Sequence, residues 1–291
     1  MLKTMLKATL AGALLLSTAS AQRDMSSVEI RAEAVTDGIY VLYGAGGNMG
    51  LFTGTDAIFL VDDQFAPLTP KILAKVKELT GAAPHFVLNT HYHGDHTGGN
   101  ENLGKAGAVI FSHDNVRKRV IQDNEKPENA PVVTFPDSQT FHINGDTVRA
   151  YHVHNAHTDG DSFVYWEMAN VIHTGDLMFE KSMGSFPFID LKGGGSVNGA
   201  IKAMDRMIDI ADRRTKVIPG HGQVTDRAGL IAYRGMLVDV RNKVQSMMQD
   251  GMSRKQIVEA RPARSYARGR ENGFIKEDQF VNTVIDSLSA E

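Results

Sequence analysis

The chain has 291 residues, 42% of them apolar, and a formal net charge of −3. That length suits one large domain or two small ones with a real core, and the mild acidity argues against nucleic acid or an anionic membrane surface as a partner. Cysteine is absent, which excludes disulfides, a lipoprotein anchor, thiolate zinc ligands and a cysteine nucleophile.

Residues 1–21 read as an export signal. Lys3 and Lys7 flank the start of an apolar run from Ala8 to Leu16, and Ala19-Ser20-Ala21 offers a small-residue cleavage site before Gln22. The run is too short to cross a bilayer as a helix. The expectation is therefore a cleaved signal, no membrane anchor and a periplasmic mature protein. After it come "VEIRAE", "GIYVLYG", "GLFTG" and "AIFLVDD", short strands rich in Val, Ile and Phe and broken by Gly and Asp. Pro70 to Leu79 has helical spacing, with Ile72, Val76 and Leu79 on one face. "HFVLNT" returns to strand. The alternation continues with "AVIFS" as strand, "NVRKRVIQ" as helix, and "TVRAYHVH", "SFVYWEM" and "NVIHTGD" as strands.

Ser196 can cap a helix reaching about Ala211, and "KVIPGHG" is a last strand and turn. From Asp226 the pattern is helical: Leu230, Tyr233, Leu237, Val240, Val244 and Met247 make a buried stripe. Gly251 can end this helix, and Ser253 with Gln256 has capping-box spacing for the next. The basic run "ARPARSYARGR" reads as a solvated loop, and Phe280, Val281, Val284, Ile285 and Leu288 as a closing helix. No linker interrupts the pattern. The predicted organisation is one layered α/β domain over residues 22–225, with residues 226–291 as a helical extension packed on it.

Chemistry concentrates in "LNTHYHGDHTGGN", Leu88 to Asn100. His91, His93, Asp95 and His96 crowd into six residues of a chain with 11 His in all, a combination suited to a zinc-like ion. On an extended segment the two histidines of His-x-His point to one side and can grip one ion. Asp95 and His96 follow Gly94, which permits a sharp turn, and can address a second ion beside the first. Further ligands must come from elsewhere. "VHNAHTDGDS" offers His152, His154 and His157, "IHTGDLMF" offers Asp176, and "IPGHGQV" offers His221. All lie where strands give way to loops, the usual place for function on a rigid scaffold. Spacing alone does not choose among the three histidines around position 154.

Taken in order, "HYHGDH", "HTDGD", "TGDLMF" and "PGHG" resemble the motifs of the metallo-β-lactamase fold superfamily, over roughly Gly38 to Val224. The resemblance implies an αββα sandwich with its site at one sheet edge. It also implies a first metal site of His91, His93 and His157, a second of Asp95, His96 and His221, and Asp176 bridging them. Asp62, or else Asp63, matches a strand-end Asp that supports the metal loop. His152 and His154 are then packing or supporting residues, His173 belongs to the core, and His85, His113 and His142 have no partner motif.

Two zinc ions are expected, with iron or manganese as alternatives, and Asp95 is expected to orient and deprotonate the attacking water. The reaction so implied is hydrolysis of a small-molecule carbonyl compound, a lactam or lactone first and a thioester second. Well-known zinc β-lactamases carry Cys where Asp176 stands; Asp there resembles glyoxalase II and lactonases. A mononuclear iron dioxygenase using His91, His157 and Asp176, and a non-catalytic binding protein, are the competing readings. Substrate contacts are expected from Met49, Leu51 and Phe52 on an early hairpin and from Phe186 and Phe188 after Asp176. The glycines before Ser196 could open a helix N-terminus to a substrate carboxylate, aided by Lys181 or Lys192.

Overall fold

The computed structural model describes residues 24–123 and 127–290; the expected export signal lies outside the described residues. Strands β1 (Arg31–Thr36), β2 (Ile39–Tyr43), β3 (Met49–Phe52), β4 (Phe59–Val61), β5 (Phe86–Leu88), β6 (Val109–His113) and β7 (Val133–Phe135) lie side by side in that order in one sheet. The pairs up to β4 are antiparallel and those beyond it parallel. The parallel crossovers carry α1 (Thr69–Thr80), the single turn α2 (Gly94–Thr97), α3 (Asn100–Lys105) and α4 (Asp114–Asp123). A second sheet holds β8 (Ser138–Ile143), β9 (Asp146–His152), β10 (Ser162–Trp166), β11 (Val171–His173), β12 (Lys216–Ile218) and β13 (Thr225–Asp226), in the order β13-β12-β11-β10-β9-β8. Helix α5 (Val197–Ile210) precedes β12, and α6 (Arg227–Gln249), α7 (Arg254–Ala260) and α8 (Glu277–Ala290) close the chain.

Period-two side chains sort into layers. Along β2, Ile39 and Val41 enter the core between the sheets, while Leu42 joins Ile72 and Val76 of α1 on the outer face. Along β10, Val164 and Trp166 enter the inter-sheet core and Phe163 faces the other way. There it meets α5, α6 and α8, which contribute Met204, Leu237 and Val284. The result is helices, sheet, sheet, helices, the αββα sandwich expected. Burying one such side chain is worth roughly 1.5–3 kcal/mol, so the C-terminal helices are an integral layer.

Three local expectations change. Strands β7 and β8 were not visible in the sequence, because β8 is a half-exposed edge without an apolar run; its hairpin to β9 turns at Asn144 and Gly145, both at positive φ (53° and 74°). Gly94 opens the helical turn α2 rather than a sharp turn of its own. The basic run is not a solvated loop: Ala263 is fully buried, Arg261 pairs with Glu277, and the Arg270 guanidinium sits 5.4 Å from the Phe186 ring centroid. Long cationic side chains cover apolar surface with their stems, which a charge count does not reveal.

Candidate metal centre

The loops leaving β4, β5, β9, β11 and β12 meet at one edge of the sandwich. β5 delivers His91 and His93, α2 turns Asp95 and His96 beside them, and the β9–β10 loop brings His157. Asp176 follows β11 and His221 follows β12. All seven expected residues assemble here, in two groups: His91, His93, His157 and Asp176, and Asp95, His96 and His221, each with its candidate ligand atoms within 4.8 Å of one another. His93 Nδ1 lies 3.1 Å from His91 Nε2 and 3.0 Å from His157 Nε2. Asp176 divides its carboxylate. Its Oδ2 is 3.7 Å from His91 Nε2 and 3.5 Å from His157 Nε2, while Oδ1 is 3.1 Å from His96 Nε2 and 3.4 Å from His221 Nε2. Asp95 Oδ2 closes the second group at 3.6 Å from His96 Nε2 and 3.4 Å from His221 Nε2.

Each ring is aimed from behind, the usual way proteins orient metal-binding imidazoles. Asp62, fully buried and at φ +61°, is the supporting strand-end residue. Its Oδ2 accepts from His96 Nδ1 at 2.7 Å and from the Thr90 hydroxyl at 2.8 Å, and Thr90 Oγ1 lies 3.0 Å from His91 Nδ1. One carboxylate therefore steadies both groups. Asp63 instead accepts from Gly99 N at 2.9 Å. His157 Nδ1 donates to Phe188 O at 2.8 Å, and His93 Nε2 donates to Asp190 Oδ2 at 3.1 Å. The His221 ring stacks on Phe179 with an interplanar angle of 7°. Two glycines allow the close fit: a Cβ on Gly47 would lie 2.1 Å from His96 Cε1, and one on Gly220 would lie 2.1 Å from Asp176 Oδ1.

Burial holds the His91 imidazole well below its ordinary pKa, helped by His96 and the other histidines, and lowers His157 to about 4. Neutral imidazole is the form that ligates a metal. Burial also works against charge on His96 and His221, but Asp176 with Asp95 outweighs it, raising His96 well above the usual value and His221 to about 9. Asp176 is held far down despite its burial, by His221, His96 and His91. His96 Nε2 and Asp176 Oδ1 are buried yet make no hydrogen bond among the described residues. Such an atom costs roughly 1–3 kcal/mol, and a cation between them removes that cost. The all-N/O donor set and these two orphaned atoms fit divalent cations.

Other expected contacts separate cleanly. Met49 and Leu51 are fully buried under α1, and Phe52 packs on Trp166 in the inter-sheet core, so these three side chains do not line the site; their hairpin meets it only through its turn, where Gly47 N donates to Asp95 O. Phe186 is also core, stacked on Phe280 with centroids 5.5 Å apart. The start of α5 offers little to a carboxylate: Val197 N donates to Ser287 Oγ, Gly199 N to Ser196 Oγ and Ala200 N to Ser196 O. Lys181 and Lys192 are exposed. Phe188 does reach the site, its half-buried ring 5.7 Å from that of His93 and 5.6 Å from that of His157. His173 is core, donating from Nε2 to Asn48 O and accepting at Nδ1 from Gly175 N. His152 stacks on His113 and bonds Asp161 O, away from the cluster. Sequence reasoning missed Asp190, Thr90, Phe179 and the two glycines; "HTDGD" did hold a signal for Asp161, whose Oδ2 accepts from the backbone N–H of His157 and Thr158 at 2.7 and 2.8 Å.

Comparison with known proteins agrees with this geometry. The family described as the metallo-beta-lactamase superfamily matches residues 42–222. The chain belongs to the metallo-beta-lactamase superfamily. It is thereby an enzyme of a hydrolytic, metal-binding family. It is 26% identical to the lactamase-like protein aptB of Emericella nidulans, over 82% of this chain and 68% of that protein. It is 28% identical to an atrochrysone carboxyl ACP thioesterase of Aspergillus terreus, over 43% of this chain and only 36% of that protein. Among solved structures, a metallo-beta-lactamase from Pontibacter korlensis superposes with a TM-score of 0.64 at 17% identity, covering 72% of this chain and 100% of that one. At that identity the likeness concerns the fold. The superfamily match ends before α6, so the C-terminal helices lie beyond it.

Proposed function

We propose that the protein is a dinuclear zinc hydrolase that opens the carbonyl bond of a cyclic amide or ester, a β-lactam-like ring or a lactone. The observation that carries this reading is the division of Asp176 between two complete donor groups. His91, His93 and His157 would hold one ion, Asp95, His96 and His221 the other, and Asp176 would serve both. A single-iron dioxygenase at His91, His157 and Asp176 would leave Asp95, His96 and His221 converged without a task. Bound divalent cations supply a Lewis acid for the carbonyl oxygen and lower the pKa of water toward neutrality.

The protein's own part begins with access. His91, His96, His157 and Asp176 are buried, whereas Asp95, His93 and His221 keep side-chain exposures of 26%, 18% and 17%. Substrate therefore approaches from the Asp95 side. Asp95 orients the attacking water and takes its proton on the carboxylate, a role worth about 10²–10⁴-fold for a general base. The buried histidines exclude solvent from behind the reacting atoms.

A thioester is the second reading, favoured by the similarity to the Aspergillus terreus thioesterase. Both are tested by assaying purified, zinc-loaded protein on lactams, lactones and thioesters beside Asp95→Ala. The expected result is lactone or lactam turnover that falls at least about 10²-fold in the variant. Equal rates would remove Asp95 from the mechanism, and turnover of thioesters alone would establish the second reading. We further propose export to the periplasm through residues 1–21; retention of the full-length precursor in the cytoplasm of an expressing cell would refute it.

A further inference from the structure

Beside the open edge of the metal groups stands an aromatic corner built from two distant parts of the chain. Phe188 lies nearly parallel to the ring of His93, one of the more exposed candidate ligands, with an interplanar angle of 28° and centroids 5.7 Å apart. Phe274 meets Phe188 edge-on, at 82° and 5.9 Å. Phe274 is 71% exposed, an uncommon state for a large ring. The chain on either side of it is tied down nonetheless. Phe186 N donates to Ile275 O at 3.0 Å, Ile275 N donates to Ser185 Oγ at 2.9 Å, and Arg270 Nε donates to Ser185 O at 3.0 Å. A Cβ on Gly273 would lie 2.3 Å from Gly184 O, so the segment is pressed against the loop that follows Asp176. The ring is thus held out beside the site by a rigid anchor.

We propose that Phe274, with Phe188, forms a subsite that binds a planar apolar group of the substrate, an aryl ring above all, attached to the acyl part of the molecule whose carbonyl is opened. The inference rests on the metal-centre reading and names the substrate class it serves. Two perpendicular rings give a flat substituent a face to stack on and an edge to meet, the arrangements aromatic pairs prefer. The side chain that decides the preference comes from the C-terminal extension, outside the region matched to the superfamily. Selectivity is therefore carried by a part of the chain separate from the part that carries the metals.

The test measures binding without turnover. Zinc-loaded protein is titrated by calorimetry with acetohydroxamate and with phenylacetohydroxamate, which share one metal-binding head and differ in the aryl ring. The phenyl compound should bind about three- to tenfold tighter, in line with the worth of an aromatic pair. Phe274→Ala should erase that ratio while leaving acetohydroxamate affinity unchanged, and Phe274→Tyr should keep it. Because Phe274 is exposed, the alanine variant is expected to fold, which circular dichroism checks. Equal affinities in the wild type, or a ratio that survives Phe274→Ala, would overturn the subsite alone. If neither hydroxamate binds, the metal reading falls and the subsite with it.

Discussion

Two sets of buried histidines in this protein look alike by burial and differ in what their ring nitrogens do. His157 and His173 are both buried, and burial lowers both to about 4. His173 spends both nitrogens on backbone, between Asn48 O and Gly175 N. His113 does likewise, with Pro136 O and Asn115 N. His157 spends only Nδ1 on backbone and turns Nε2 toward His93 and Asp176. What separates His157 from the other two is the ring nitrogen left over once the backbone has been served, and the candidate ligands it faces.

The largest test of that contrast exchanges one histidine from each set. Sharing the roughly 10–16 kcal/mol of four-ligand zinc binding among its ligands gives about 3 kcal/mol each. His91→Gln should therefore weaken zinc at the first group more than about a hundredfold and leave the stability of the metal-free chain nearly intact. His173→Gln should do the reverse, keeping zinc content while costing about 1–3 kcal/mol in urea unfolding. Zinc loss from the His173 variant would break the contrast.

Next in size is a pH effect. His173 has a folded-state pKa near 4 against an ordinary 6.5, so the unfolded chain binds a proton that the native chain refuses. Its contribution is complete above about pH 6.5 and is lost as pH falls toward 4, up to about 3 kcal/mol. Unfolding of metal-free protein at pH 7 and pH 4.5 should show this acid limb, shallower in His173→Gln. An unchanged limb would mean other buried groups carry it.

Smaller effects come from the supporting carboxylates. Asp62 reaches His96 directly and His91 through Thr90, so Asp62→Asn should weaken both ions, by about 10- to 100-fold. The Asp190 carboxylate accepts from His93 and Tyr92, on the side of the first group, and Asp190→Asn should cost about tenfold at that group alone. Competition with a fluorescent zinc chelator would resolve the two sites; equal behaviour of the two variants would deny Asp62 its double role.

The sequence marked out the candidate ligands because metal chemistry forces His and Asp into short, glycine-flanked clusters at strand ends, but only the family resemblance singled out His157 from His152 and His154. It also revealed the layered fold, since period-two strands and the α6 stripe are dictated by burial. It did not separate Asp62 from Asp63, which differ only in where the backbone turns each carboxylate. Asp190 was invisible as one acid in a Phe-rich loop, brought to His93 by tertiary packing alone. Met49, Phe52 and Phe186 misled for a related reason: an apolar residue near a motif in sequence is more often core than pocket wall. Phe274 lies far along the chain from every ligand and carries no local mark.

The central claim is that Asp176 joins two donor groups into one dinuclear centre. Native mass spectrometry of zinc-titrated protein tests it directly. The account predicts two ions per wild-type chain and loss of affinity at both positions in Asp176→Ala. A single ion in the wild type, or two ions held with unaltered affinity by the variant, would contradict it.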